Sequence, residues 1–235
     1  MKAKFLFTGL AIAVLSIRGF AQNLDEIVAK HIEAIGGKAN WEKVKTLRYQ
    51  SVMKAQGAEI KFTVVIIDNK AFRSDISVMG MNGFSILNNK EGWNYMPWAG
   101  QSKSEAMTED DVKNSQDDLS LQDEFITYKA LGKTLDYYGM DDIDGTECFK
   151  LKMTDKQGKE STFYIDPSNY LVIKKTVKVQ SNGQESESST FYSDYKTLPE
   201  GIVYPMSVFT GWQEQTTVKV EINPVVDETI FKPNK

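Results

Sequence analysis

The chain has 235 residues, of which 41% are hydrophobic, and its 32 acidic and 28 basic side chains give a formal net charge of -4. That balance argues against nucleic acid or anionic lipid surfaces as partners. A single cysteine, Cys148, excludes an internal disulfide, and a single histidine, His31, cannot serve both a metal site and a catalytic triad.

The first residues read as an export signal. Lys2 and Lys4 precede an apolar stretch, Phe5 to Ile17, that is short for a bilayer span, and Gly19-Phe20-Ala21 offers small residues for cleavage after Ala21. Residues 1–21 are therefore expected to be a secretory signal and 22–235 one exported domain, free of the membrane. Loss of Lys2, Lys4 and Arg18 with the signal moves the formal charge from -4 to -7.

Asn23 is placed to cap a helix whose stripe is Leu24, Ile27, Val28, Ile32 and Ile35, and Gly36-Gly37 should end it. Asn40 is expected to start a second short turn carrying Trp41 and Val44. His31 lies at the edge of the apolar stripe and reads as a packing residue between helix and sheet.

From Thr46 the period becomes two. Leu47, Tyr49 and Met53 share a face, and Ile60, Phe62, Val64 and Ile66 form the next. Val65 and Ile67 make the opposite face of that second strand apolar too. Asn82-Gly83 and Asp144-Gly145 read as tight hairpin turns, and Asn182-Gly183 as a third. Ten or eleven short antiparallel strands are expected by Ile222, enough for a sheet that curls as twist accumulates. Residues 99–131 interrupt the alternation. Thr108-Glu109-Asp110-Asp111 resembles a helix start, and Leu119, Leu121, Phe125 and Ile126 form an apolar stripe suited to a lid.

Catalytic signatures are missing: there is no nucleophile elbow, phosphate-binding glycine loop or zinc-binding helix. The acidic runs, Asp141-Asp142-Ile143-Asp144 among them, read as solvated turns, and aligning Gly145 with the glycine of a calcium loop puts Met140 and Leu151 where carboxylates are required. No catalytic residue, metal or cofactor is expected, although paired acids leave a hydrolase as the least favoured reading. Cys148 reads as a packed thiol. Lys150, Lys152, Lys174, Lys178 and Lys219 read as a solvated outer face. The candidate ligand-binding residues are apolar: Val65, Ile67, Met79, Met81, Phe84, Trp93, Met96 and Trp98, with methionine suited to varied greasy guests.

Phe72-Arg73 with the stretch Ser85 to Pro97, containing Glu91-Gly92-Trp93-Asn94-Tyr95-Met96-Pro97, resembles the hairpin of periplasmic lipoprotein carriers of the LolA and LolB type. Thr162 to Asp166, Leu171 to Lys175, Ser193 to Lys196 and Gly201 to Pro205 are similar to later strands of outer-membrane lipoprotein-sorting proteins. The resemblance implies an α+β, mainly antiparallel β fold, a strongly curved half-barrel sheet with helices covering the concave face. It further implies a monomeric periplasmic carrier whose partners are lipoprotein acyl chains. Related folds act as envelope sensors, so a module that binds an envelope protein is the alternative. Those carriers place a lid-locking arginine just before a proline entering a strand; near that place this chain has Asp68-Asn69, with Arg73 a few residues later.

Overall fold

The computed structural model describes residues 24–55, 57–181, 184–211 and 213–233. The expected signal, the Asn23 cap and the Asn182-Gly183 turn lie outside the described residues.

Helix α1 covers residues 24–34 and buries Ile27, Val28 and His31. It stops because Gly36 and Gly37 turn left-handed, with φ of 103° and 84°. Gly36 has a second constraint: a Cβ there would lie 2.0 Å from the Gly201 carbonyl oxygen. The next helical turn, α2 (Lys38–Trp41), begins after Gly37 rather than at Asn40, whose side chain instead donates to the Gly36 carbonyl.

Among the described residues thirteen antiparallel strands follow: β1 (Thr46–Ala55), β2 (Ala58–Ile67), β3 (Ala71–Val78), β4 (Met81–Asn88), β5 (Gly92–Tyr95), β6 (Glu105–Ala106), β7 (Thr134–Ile143), β8 (Thr146–Thr154), β9 (Glu160–Ile165), β10 (Val172–Ser181), β11 (Gln184–Thr197), β12 (Val203–Phe209) and β13 (Glu214–Ile222). They form one sheet in the order β6-β5-β4-β3-β2-β1-β13-β12-β11-β10-β9-β8-β7. Every neighbour is a neighbour in sequence except β1 and β13, which join the two meanders along the middle. β6 and β7 remain as edges, so the curved sheet stays open. The strand count exceeds the expected ten or eleven partly because residues 99–131, read as strandless, contribute the two-residue β6.

Between β6 and β7 lie α3 (Glu109–Asn114), a 3-10 turn at Gln116–Leu119 and α4 (Glu124–Leu131). Thr108 caps α3 by accepting from the Asp111 N–H, and Asp123 caps α4 by accepting from the Phe125 N–H.

One hairpin turn moved. The β3–β4 reversal is made by Met79-Gly80, both at positive φ, while Asn82-Gly83 sits inside β4. Gly83 is needed for another reason: a Cβ there would stand 2.3 Å from the Tyr95 carbonyl oxygen and 2.7 Å from the Trp98 ring. Asp144-Gly145 does form the expected turn between β7 and β8, with φ of 51° and 87°.

The strand registers divide the side chains between two faces. Leu47, Tyr49, Val64, Ile66 and Phe72 share the concave face with Val220 and Ile222. There they pack with Leu121 and Ile202. Further along this face Ile27 and Val28 of α1 and Phe125 and Tyr128 of α4 meet Leu135, Leu151, Met153, Phe163 and Ile165. A smaller group joins Leu87, Val112 and Leu119.

The opposite face explains why β2 is apolar on both sides. Val65, Phe84 and Ile86 are buried there beneath the C-terminal segment, which brings Val226, Ile230 and Phe231 across β2 to β4. Elsewhere the same face is solvated. Lys150, Lys152 and Lys174 lie on it, with Lys150 and Lys174 over the Tyr164 ring and Lys152 paired with Glu160. Cys148 is fully buried and donates to the Thr146 carbonyl; burial, then Asp166, Asp142 and Asp141, pushes its thiol up to about 11, so it is an inert packed group.

Candidate functional site

The concave face carries two candidate regions. The first is a cavity of about 190 Å³ between α1, the start of α4 and strands β9 to β12. Its walls are mostly apolar and aromatic, including Trp41, Phe125, Phe163, Tyr192, Tyr195 and Tyr204. Tyr195 is held by donating to the Val172 carbonyl at 2.6 Å, and burial raises both its phenol and that of Tyr204 above the ordinary range.

Four ionisable side chains interrupt that wall: His31, Asp123, Glu124 and Lys175. His31 is 2% exposed; its Nδ1 is 2.7 Å from the Tyr170 carbonyl and its ring meets Phe125 edge-on at 4.7 Å. The expected packing role is thus joined by a polar one. Burial opposes the charged imidazole, but the Asp123 carboxylate and the Tyr170 carbonyl outweigh it, so His31 titrates above its ordinary value. Lys175 pairs with Glu124 and lies 5.2 Å over the Phe163 ring. Glu124 and Lys175 also line two more polar cavities, of about 160 and 290 Å³, together with Asp117, Asp118 and Lys133.

The second part is an open strip nearer the tips of the β1–β2 and β3–β4 hairpins. Met53, Ile60, Phe62, Ile76 and Val78 all face the concave side and are only half-buried, while Met81, in register with Val78, is 39% exposed. Trp98, in a 3-10 turn at Pro97–Ala99, lies against Gly83 on the same side. None of these seven belongs to the buried clusters.

The structure therefore splits the eight residues expected to face a ligand. Met81 and Trp98 stand on the concave strip. Val65, Ile67, Phe84 and Trp93 lie on the opposite face, packed with the C-terminal segment. Met79 is 80% exposed at the hairpin turn, and Met96 is half-buried just before the 3-10 turn. An apolar second face on β2 led to the concavity in sequence, yet the chain covers that face with its own C-terminus. Met53, Ile60, Phe62, Ile76 and Val78, which share the strip with Met81, were not among the expected ligand-facing residues, because their alternation along β1, β2 and β3 reads equally well as ordinary core.

Of the expected lid residues, Leu119, Leu121 and Phe125 are buried on the concave face and Ile126 is half-buried. The Asp68-Asn69 turn fastens this arm: the Leu121 N–H donates to Asp68 Oδ1 at 2.9 Å and the Asn69 N–H to the Leu119 carbonyl at 2.7 Å. Gln122 adds a bond to the Trp41 carbonyl at 2.8 Å. Arg73 points the other way. It holds Asp75 and donates to the Ile230 carbonyl at 2.6 Å, so it secures the C-terminal segment rather than the arm.

No protein-family model matches the sequence, and no curated protein sequence does. Solved structures do match the fold. A LolA superfamily protein from Nitrosomonas europaea is 12% identical, with a TM-score of 0.54 over 91% of this chain and 97% of that one. The chain shares its fold with the LolA superfamily. A domain described as an outer membrane lipoprotein-sorting protein, from Vibrio parahaemolyticus, gives 12% identity and a TM-score of 0.52 over 88% of this chain and 94% of its own. A DUF1329 family protein from Desulfovibrio piger gives 12% identity and 0.55 over 88% and 96%. Among the described residues no helix is long and apolar enough to cross a membrane, and no cluster of His, Cys, Asp and Glu is arranged to hold a metal ion.

Proposed function

We propose that this protein is a periplasmic, non-enzymatic carrier that binds the acyl chains of lipoproteins, or of a similar lipid, on the concave face of its sheet. The observation that carries the reading is the half-buried apolar strip from Met53 to Met81, which runs on the helix side of the sheet without being sealed into the core. The similar fold of a LolA superfamily protein and of an outer membrane lipoprotein-sorting domain supports it.

Binding requires no bond to break. Each methylene moved from water onto this surface contributes about 0.8 kcal/mol, so a long chain gains ample affinity. The arm from Thr108 to Asp123 carries Leu119 and Leu121 over the same face, attached through a few hydrogen bonds at Asp68, Asn69 and Trp41. Displacing part of that arm would cost free energy and so moderate affinity, which a carrier needs in order to release its cargo.

The test is displacement of a fluorescent acyl probe by wild type and by Phe62→Asp. The carrier reading expects wild type to bind and the variant to lose at least about tenfold in affinity, since a carboxylate on the strip must be desolvated by the chain. Equal binding by both would place the guest elsewhere, and no binding by wild type would sink the reading.

A further inference from the structure

The cavity between α1 and α4 contains an unusual polar pair. His31 is 2% exposed and lines the cavity; with Nδ1–H committed to the Tyr170 carbonyl, only Nε2 is left, and Nε2 has no hydrogen-bond partner. It stands 3.5 Å from Asp123 Oδ2, too far and poorly aligned for a normal bond. The other carboxylate oxygen of Asp123 is occupied by the Phe125 N–H. A donor and an acceptor, both lining one aromatic cavity, are thus left facing each other across a gap.

The charges there are compensated. Lys175 is paired with Glu124, and His31 faces Asp123. An ionic head group entering the cavity would shed its water without meeting an uncompensated opposite charge, which is costly. A hydroxyl differs: its oxygen accepts from His31 Nε2–H while its proton goes to Asp123 Oδ2, and neither pair is broken. The Asp123 carboxylate beside the ring favours its protonated form, in which Nε2 carries a hydrogen. A cavity of about 150 Å³ already accepts benzene, so about 190 Å³ takes a small head group, with the tail left outside it on the concave face.

We propose that this cavity receives the uncharged, hydroxyl-bearing head of an acylglycerol-like amphiphile in preference to a fatty-acid carboxylate or an alkylammonium. The inference rests on the acyl-binding reading above. Isothermal titration calorimetry of the purified protein with monooctanoylglycerol, octanoate and octylammonium tests it. Monooctanoylglycerol is expected to bind at least about tenfold more tightly than either ion. Asp123→Asn keeps the cap of α4 but takes away the carboxylate that favours the charged imidazole and accepts the hydroxyl proton, so monooctanoylglycerol should lose affinity and the preference shrink below about threefold. Equal affinities for the three compounds, or a preference unchanged in Asp123→Asn, would overturn the head-group assignment while leaving the carrier reading in place. Failure of all three to bind would overturn the carrier reading itself.

Discussion

Truncating Phe231 to alanine probes the assignment of the two faces. The side chain is 7% exposed and packs with Val65, Phe84 and Ile86 on the face opposite the helices. Removing a buried phenylalanine ring costs about 3–5 kcal/mol where the surroundings cannot collapse. This segment is held otherwise by the Arg73 bond to Ile230, by Thr46 donating to the Pro224 carbonyl, and by an exposed Lys70–Glu228 pair worth about 0–1 kcal/mol. It can therefore partly detach, which pulls the expected loss to the low end, about 3 kcal/mol. Urea unfolding monitored by tryptophan fluorescence would show it as a lowered midpoint, and hydrogen exchange should rise in β3 and β4. Acyl-probe affinity should stay within about twofold of wild type, because the strip lies on the other side of the sheet. A loss below about 1 kcal/mol, or a collapse of probe binding with stability retained, would refute this division of faces.

Further outcomes are expected at the helix side. The one histidine gives an unambiguous NMR titration, and its pKa should lie above 6.5 because Asp123 and the Tyr170 carbonyl outweigh burial. A folded value above the unfolded one means that the stabilisation is complete below about pH 6.5 and fades as pH rises through the folded value; a His31→Gln variant should lack that component, and a measured value below 6.5 would contradict the geometry. Asp68→Ala removes the acceptor of the Leu121 N–H and should cost about 1 kcal/mol, with faster amide exchange confined to residues 119–122; unchanged exchange there would show that the arm is held by packing alone. Gly83→Val should displace Trp98 and Tyr95 and destabilise by about 1–3 kcal/mol, readable as a lowered thermal midpoint; an unchanged midpoint would mean the Trp98 contact is dispensable.

The architecture was legible because alternation survives in nearly every strand and the short turns force antiparallel neighbours. What escaped was pairing at a distance. β13 returning to β1 decides which residues share a floor, and nothing in Val218 to Ile222 alone announces that partner. The β2 strand shows the limit most clearly. Val65 and Ile67 were visible as a second apolar face, but alternation cannot say whether a guest or the chain's own Ile230 and Phe231 will cover it. Asn82-Gly83 misled for a related reason: the glycine answers to the Trp98 ring packed against it rather than to a reversal of the backbone. His31 looked partnerless because Asp123 is 92 positions away in the chain and reaches it only through the packing of α4 against α1.

Photolabelling with a diazirine-bearing acyl chain, followed by peptide mapping, would locate the guest on the sheet. Crosslinks are expected on Phe62, Ile76 and Met81, with a second set near Leu121 in the arm. Labels confined to Phe84, Trp93 and Phe231, or none above a denatured control, would contradict a guest on the concave face.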